Sequence, residues 1–551
     1  MAMYYYASKL NEASCSGCNV KVPPAPSEAA PASPADQSQL LKTDSTILGT
    51  GLSYYDNDDY YSMVRGNKFM SESGVKHLMM NGGLNFVAAQ KVDQPQLPSL
   101  SAKSLSLPYV NTDKPDIDYK DGQIVSGTID SLVDLLRPGA SKTFMFTFLL
   151  CSRLFMKPHE LLAKLCKRYF RSYEKVGKSE MKDSADKEVQ DMVSLVRVLD
   201  QWTSVFPYDF RDDRVMALVK SITQRCAAEH MASVRADMSS MLERLLEKLT
   251  ALEHYEETLR EVPQVASVDC LPPQGDILTL GLTPVELANQ LTILELHRLS
   301  FIGPEEFVQT FVPAQPSSSG KNITLHHVET KSTKNLEAYA DWFNRLSYLV
   351  ATDIVKPVKS KYRARVIEQW VMTARECFNL GNFNSLMAII SALNMAPVTR
   401  LKKTWGRTSA VCVQQLRQLE LCVEPSGNHA RYRAALAAAP TETAVPLLSV
   451  TCRDLHFANQ GTPNKLSGNR VNFSKCTLLA RHVCAQLAAR RLCGEGPGRA
   501  PAAPQPHAPA TGFLTERSTL TERGLELTSF EREPPTDQLE KERLKRLRGG
   551  T

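Results

Sequence analysis

Apolar residues recur three and four positions apart through the middle of this chain, and this spacing limits the fold more than any other feature. The pattern starts near Ile124 and continues in four blocks, 129–136, 144–169, 192–206 and 216–252. Such spacing places apolar side chains on one face of an α-helix, whereas a half-buried strand would alternate apolar and polar residues. Pro138-Gly139 separates the first two blocks, as a turn between helices would. We predict an all-helical domain over residues 121–260.

A second helical region follows a linker that is rich in Pro and Val. Thr283-Pro284-Val285-Glu286 combines an N-cap hydroxyl, a proline at the first helical position and a glutamate at the third, which together indicate a helix start. Further helices are predicted over 336–354, 363–380, 384–393 and 409–422 from the apolar spacing. We predict a second helical domain over residues 276–525. It should become irregular from about 493, where Gly, Pro and Ala dominate.

The two ends of the chain differ from its helical middle. Residues 1–120 combine a Pro/Ala/Ser-rich stretch with a polar stretch rich in Tyr and Asp, and they lack periodic apolar spacing. Without a core to offset the entropy of ordering, this region is predicted to be mostly disordered. Residues 526–551 are predicted to form a charged tail, in which the alternating charges from Glu540 to Arg548 are typical of a solvent-exposed helix.

The composition argues against several classes of protein. Lys and Arg number 65 against 59 Asp and Glu, and a net charge of +6 over 551 residues is too small to indicate a nucleic-acid partner. The N-terminus lacks the basic start and apolar core of a signal peptide, and the longest apolar run, 144–156, is too short to cross a bilayer. With 13 cysteines placed mostly singly, we predict a cytoplasmic protein without a transmembrane segment. The sequence leaves open whether this protein is recruited peripherally to the endosomal or plasma membrane.

Signatures of metal binding and of bond chemistry are weak. Cys15 and Cys18 have zinc-ligand spacing, but no second pair follows at a plausible distance, so we predict no metal site. His326-His327 is interpreted as a surface pair, because adjacent side chains point to different faces. The chain lacks a Gly-x-x-x-x-Gly-Lys-Ser/Thr loop, a His-Glu-x-x-His motif and a Gly-x-Ser-x-Gly motif. We therefore expect no cofactor and no enzymatic bond chemistry.

Uncharged polar residues interrupt otherwise apolar helices in the segment 381–401. Asn382 and Asn384 have a simple structural interpretation as helix caps, and Ser391 has one as a small residue at a close helix contact. The alternative is that this segment presents a binding surface.

The segments 381–401 and 282–295 together resemble the catalytic domain of the Ras guanine-nucleotide exchange factors of the Son of sevenless type. The preceding helical region resembles the Ras exchanger motif of the same family. That second resemblance lies in the segments 127–132, 147–162 and 197–202. Residues 335–339 and 342–346 are similar to the Ras-GEF domain-containing family member 1 group. The resemblance covers about 122–490.

This resemblance implies an exchange factor that promotes GDP release from a Ras-family small GTPase, of Rap or Ras type, with a Rap-type partner suspected. Such a protein binds the nucleotide-free GTPase more tightly than the loaded form, so nucleotide and exchange factor displace each other. In the family, a bowl of helices grips switch II and a protruding helical hairpin opens switch I. The Ras exchanger motif would brace that hairpin.

The positions that match the family's motifs imply which residues form the site. Those expected to contact the GTPase are Asn289, Thr292, Met387, Ser391, Asn394, Thr399, Arg400, His429 and Leu447. Those expected to act in the hairpin are Leu455, His456, Gln460 and Gly461.

The chain departs from the family pattern at several of these positions. A glutamate is usual at Gln460, an aromatic pair at Leu447 and Leu448, and an aromatic residue at His429. The Gly/Pro-rich segment 494–511 would replace the helices that close the family's catalytic domain. These departures leave open an alternative function, a GTPase-binding scaffold with weak or lost exchange activity.

Overall fold

The computed structural model describes residues 116–170, 181–260, 275–312, 333–440, 444–488 and 507–549. Helices make up most of these residues, so the predicted all-α class is confirmed. The region 1–115, the Cys15-Cys18 pair and His326-His327 lie outside the described residues. The first domain contains β1 (Ile117–Lys120), β2 (Gln123–Gly127), α1 (Ile129–Asp134), α2 (Lys142–Cys151), α3 (Pro158–Phe170), α4 (Met181–Val205), α5 (Asp213–Arg225) and α6 (Ala232–Arg260).

The second domain surrounds a larger helical core. It contains α7 (Pro284–Ser300), α8 (Pro304–Gln309), α9 (Lys334–Val355), α10 (Ser360–Leu380), α11 (Phe383–Leu393), α12 (Ala396–Thr399), α13 (Lys402–Trp405), α14 (Ala410–Val423), α15 (Ser426–Ala438), α16 (Leu448–Gly461), β3 (Lys465–Leu466), β4 (Arg470–Asn472) and α17 (Phe473–Gln486). Helices α7, α9, α10 and α11 pack on one another, with Trp342 and Trp370 fully buried between them. Burial of such large apolar surfaces is the main stabilising term for this core.

Local sequence signals set the ends of the central helices. The predicted start of α7 is confirmed as a capping box, in which Thr283 Oγ1 accepts a hydrogen bond from the Glu286 amide at 3.2 Å and the Glu286 carboxylate accepts one from the Thr283 amide at 2.8 Å. Helix α10 ends at Gly381, whose φ of 78° is left-handed. A Cβ there would lie 3.0 Å from Ala439 Cβ, so both conformation and space favour glycine.

A small sheet joins the two domains, and the sequence analysis did not predict it. Its strand order is β1-β2-β4-β3, and neighbouring strands are antiparallel. Strand β2 of the first domain pairs with β4 of the second through Ser126 opposite Asn472 and Gly127 opposite Val471. Strands this short have little periodicity of their own, and the β2–β4 pairing forms only because the two domains meet.

The prediction of irregular structure from about 493, followed by a separate charged tail from 526, is wrong for residues 508–532, which form α18 (Ala508–Glu516) and α19 (Glu522–Arg532). The solvent-exposed helix expected from Glu540 to Arg548 is present within α20 (Gln538–Gly549). Arg517 pairs with the buried Asp353 carboxylate at 2.7 Å, and Glu533 accepts hydrogen bonds from buried Arg363 at 2.9 Å and from the Thr404 amide at 3.0 Å. These contacts come from segments that are distant in the sequence, and they hold α18 and α19, which together with α20 are here called the closing helices. The polar composition of the region did not reveal them.

Candidate functional site

Helix α11 and its C-cap carry three of the nine predicted GTPase contacts, and the N-terminus of this helix is fixed by polar bonds. Asn382 is the N-cap, because its side-chain oxygen accepts from the Ser385 amide at 3.0 Å. Its amide nitrogen donates to Thr292 Oγ1 on α7 at 3.1 Å. Thr292 is buried and donates in turn to the Ala288 carbonyl at 2.8 Å. Thr292, predicted as a GTPase contact, therefore lies beneath the surface and positions α11.

A buried carboxylate ties α11 to α7 and α9. Glu295 is fully buried and accepts from Ser385 Oγ at 2.8 Å, from Asn384 Nδ2 at 3.2 Å and from Trp342 Nε1 at 3.2 Å. Burial raises the pKa of Glu295, whereas these donors favour the charged form and oppose the rise. Asn384 is thus a partner of this carboxylate. The network holds three helices in one arrangement and so sets the orientation of α11.

An accessible stripe runs along α11. Met387, Ser391 and Asn394 are spaced four and three residues apart, so they share one helix face, and all three are half-buried. Asn394 Nδ2 donates to Glu420 Oε1 of α14 at 2.9 Å. Asn289 on α7 is also half-buried. These positions combine limited solvent access with uncharged groups, as the rim of a protein-protein interface does.

Thr399 and Arg400 lie where α12 meets the closing helices. Thr399 is exposed, whereas Arg400 is held on three sides. Its guanidinium donates to both carboxylate oxygens of Glu540 at 3.0 and 3.2 Å and to the Ser529 carbonyl at 3.0 Å, and it lies 4.1 Å from the centre of the Phe530 ring. In this arrangement Arg400 braces α12 against α19 and α20, and Thr399 is the accessible member of the pair.

The predicted hairpin consists of α16, β3, β4 and α17, and α16 turns one face inward. Leu448, Cys452 and Leu455 are spaced four and three residues apart and are buried. Leu447, just before the helix, and His456 are buried as well. Leu447, Leu455 and His456, all predicted to act on the GTPase, therefore support the hairpin from inside.

The outward face of α16 presents different residues. Gln460 and Gly461, both predicted, are exposed. Phe457 is 52% exposed and lies three residues before Gln460, so the two side chains share a face. The sequence analysis missed Phe457. An aromatic residue out of phase with Leu448, Cys452 and Leu455 was the signal that could have revealed it.

The first domain contacts the hairpin at β4 and at the start of α17. Arg470 of β4 pairs with Asp118 of β1 at 2.8 Å and donates to Ser126 Oγ at 3.2 Å. Phe144 of α2 stacks on Phe473 of α17, with ring centres 5.4 Å apart. Backbone pairing, an ion pair and an aromatic stack thus join the two domains at the start of α17.

A buried lysine links the two helices of the hairpin. Lys475 of α17 donates to the Asn459 carbonyl at 2.6 Å and to the Thr462 carbonyl at 2.8 Å, at the C-terminal end of α16. A cation at this position satisfies carbonyls that the helix leaves free and complements the helix dipole. Because Asn459 is next to Gln460, this contact sets the position of the exposed face.

His429 begins α15 in a strained turn. Gly427, Asn428 and His429 have φ of 60°, 58° and 58°, which is the left-handed region. His429 is buried, and its Nδ1 has no hydrogen-bond partner among the described residues. Burial, followed by repulsion from Arg453 and Arg433, lowers the pKa of His429 to about 4. His429 therefore lies within the fold beside Tyr432 as a neutral side chain.

His429 is expected to make folding sensitive to mild acid. An unfolded histidine has a pKa of about 6.5, so the unfolded state takes up the proton first. The free energy of unfolding should fall as pH drops from about 6.5 towards 4, and this residue should account for a loss of about 2 kcal/mol at about pH 5. Asparagine tolerates the left-handed conformation, so His429→Asn should weaken the pH dependence without adding strain. Urea unfolding of both proteins at about pH 7.5 and about pH 5 measures this. The same loss in both would contradict it.

Among the described residues, no His, Cys, Asp and Glu side chains gather in a group that could hold a metal ion. Within the same residues, no helix has the combination of length and apolarity that a bilayer crossing requires.

Family comparisons match both helical domains. The RasGEF domain model matches residues 286–477, which include nearly all of α7, the whole of α11 and the hairpin up to the start of α17. The RasGEF N-terminal motif model matches residues 123–224, which include β2 and α2. The chain therefore belongs to the RasGEF family, whose members are exchange factors for Ras-family small GTPases.

Within this family the chain is similar to the Ras-GEF domain-containing family member 1 proteins. It is 40% identical to family member 1B of Mus musculus over 456 residues, which are 78% of this chain and 92% of the mouse protein. It is 38% identical to family member 1B-A of Danio rerio over 499 residues, 85% of this chain and 93% of that protein. Family member 1C of Homo sapiens is 39% identical over 452 residues, 78% of this chain and 91% of that protein. The resemblance predicted from the motifs is confirmed.

Proposed function

We propose that this chain releases GDP from a Ras-family GTPase by placing the exposed end of α16 against switch I while α11 and its neighbours hold switch II. The observation that carries this proposal is the contrast between the two faces of α16. One face is locked into the core by Leu448 and Leu455, and the other presents Phe457 and Gln460 to solvent. A rigid helix that exposes an aromatic ring and a side-chain amide can act as a wedge, because a wedge displaces nucleotide through binding alone.

The partner we propose is of Rap type, with Ras-type GTPases as the other members of the same class. Selectivity between such similar partners depends on many weak contacts, so the partially accessible residues on α7, α11 and α12 are the candidates for it. Recruitment to the membrane where the GTPase is anchored is part of this proposal.

The proposal is tested by release of a fluorescent guanine nucleotide from purified Ras, Rap and Ral proteins with the full chain added. We expect faster release from Rap than from Ras or Ral. Equal acceleration of all three would contradict the Rap preference. If the chain accelerates nucleotide release from none of the three but binds one nucleotide-free GTPase, the scaffold function is supported and the exchange function is not.

Restoring a carboxylate at the end of α16 is expected to raise the exchange rate. Gln460 is exposed and offers only a neutral acceptor, whereas a glutamate forms charge-assisted bonds that are about twice as strong. Gln460→Glu should therefore accelerate nucleotide release by about three- to tenfold. Gln201→Glu adds the same charge at an exposed position of α4 in the first domain and serves as the matched control. An unchanged rate for Gln460→Glu would mean that this position does not limit exchange.

One observation favours the scaffold as the second candidate function. Leu447 and His429, which depart from the family's aromatic residues, are both buried. Both side chains lie beneath the predicted switch II pocket. The departures from the family's aromatic residues therefore change the packing of the core and not only the surface. A chain with such changes would keep binding while losing rate.

A further inference from the structure

We propose that the outward face of α20 is a binding surface for an anionic phospholipid membrane. The helix carries five basic residues against two acidic ones within Gln538–Gly549. Lys541, Lys545 and Arg548 are spaced four and three residues apart, so they form one stripe along the helix. All three are exposed. Within the described part of the chain, none of the three makes a hydrogen bond or an ion pair.

The inward face of α20 takes up one of the two acidic residues of the helix, whereas the other, Glu542, is exposed and accepts a hydrogen bond from Gln538 at 3.3 Å. Glu540 points inward and accepts hydrogen bonds from Nε and Nη2 of Arg400, as described above. Arg543 pairs with Glu526 of α19, and Leu544 and Leu547 are half-buried on the same side. The fold thus uses one of the two acidic residues for anchoring and turns three cations to solvent. The helix is held as a fixed platform with a positive outer surface.

A neighbouring residue extends this surface. Arg523 of α19 donates to the Leu547 carbonyl at 2.8 Å, which places another cation beside the end of α20. At the other end, Leu539 is 72% exposed. Because Leu539 lies two residues before Lys541, it projects from a different side of α20 and is not part of the stripe.

The charge pattern favours a membrane over a nucleic acid. Single-stranded nucleic acids require aromatic side chains for base stacking, and α20 contains none. Helix α20 itself adjoins the predicted GTPase-binding residues, because Thr399 and Arg400 line an open pocket of about 340 Å³ with Leu539 and Arg546 on another side of this helix. This part of the inference rests on the proposed function, since the proposed GTPase partner is itself anchored to a membrane.

The test is co-sedimentation of the full chain, without GTPase, with phosphatidylcholine vesicles that contain or lack phosphatidylserine. We expect binding only to the anionic vesicles and its loss at high salt. Each cation near an anionic leaflet strengthens binding about fivefold. The variant K541E/K545E/R548E should therefore bind at least about 100-fold more weakly. The variant K359E/K361E/R365E reverses three exposed cations at and near the start of α10 and should bind like the native chain.

Equal binding to neutral vesicles would overturn the inference, and so would equal loss in the two variants. Binding to a DNA duplex but not to anionic vesicles would assign the stripe to nucleic acid instead. Nucleotide release from a soluble GTPase is measured in parallel, and the α20 variant should retain it. If vesicle binding succeeds while this release fails in the native chain, the proposed function fails and the membrane surface stands.

Discussion

Replacing Phe144 by alanine should lower the rate of nucleotide release by about tenfold, which corresponds to about 1.4 kcal/mol of activation free energy. Phe144 belongs to the first domain, yet its ring stacks on Phe473 at the start of the hairpin helix α17. An aromatic pair contributes about 0.5–1.5 kcal/mol beyond the area that it buries. Without this stack the hairpin should occupy its productive position less often. Binding to the nucleotide-free GTPase should change less than about threefold, because α11 is untouched.

The matched control for this variant lies on the same helix. Phe146 stacks on Phe206 within the first domain, with ring centres 5.9 Å apart. Phe146→Ala removes the same kind of contact without touching the hairpin, so it should destabilise the first domain while leaving the exchange rate within about twofold. Stopped-flow nucleotide release and titration of the nucleotide-free GTPase separate rate from binding. Equal rate losses in the two variants would show that the first domain does not brace the hairpin through Phe144.

The largest effect on stability is expected from Glu295→Leu, with a loss of about 3–5 kcal/mol in the free energy of unfolding. This change removes the acceptor that Ser385, Asn384 and Trp342 share, and leaves their donors buried without a partner. Each orphaned buried donor costs about 1–3 kcal/mol. Urea denaturation followed by tryptophan fluorescence measures the loss, since Trp342 lies within the network.

Two further variants identify the cause of this loss. Glu295→Gln keeps an acceptor oxygen in nearly the same volume, so its cost should be clearly smaller than that of Glu295→Leu. Glu286→Ala removes an exposed carboxylate from the same helix and should cost clearly less than Glu295→Leu, because only the capping box is lost. If Glu295→Leu costs no more than Glu286→Ala, the buried network does not hold α11 in place.

The confirmed parts of the prediction are those in which the deciding information is local. The start of α7 follows from an N-cap threonine, a proline and a glutamate within four residues. The predicted end of α10 at residue 380 is confirmed, and Gly381, which takes a left-handed conformation readily, follows it directly. Long uninterrupted motifs in α7 and α11 were enough to identify the family, because each covers a helix cap and most or all of the helix that follows it.

The candidate site was predicted only in part, because position along a helix does not reveal which side is covered. Leu455 and Phe457 differ by two positions, yet one is fully buried and the other half exposed. Arg400 was expected to face the GTPase, but Glu540, 140 residues later, binds its guanidinium. The partner of a side chain that is paired so far along the chain cannot be inferred from local spacing.

The sequence by itself determined the helical class, the caps of the central helices and membership in a family of exchange factors, since periodicity and motif carry these locally. Only the tertiary structure decided that residues 508–532 close the second domain, that β2 and β4 join the two domains, and that Phe457 and Gln460 share the exposed face of α16. The physical reason is that burial, strand pairing and buried ion pairs depend on residues that meet only when the chain is folded.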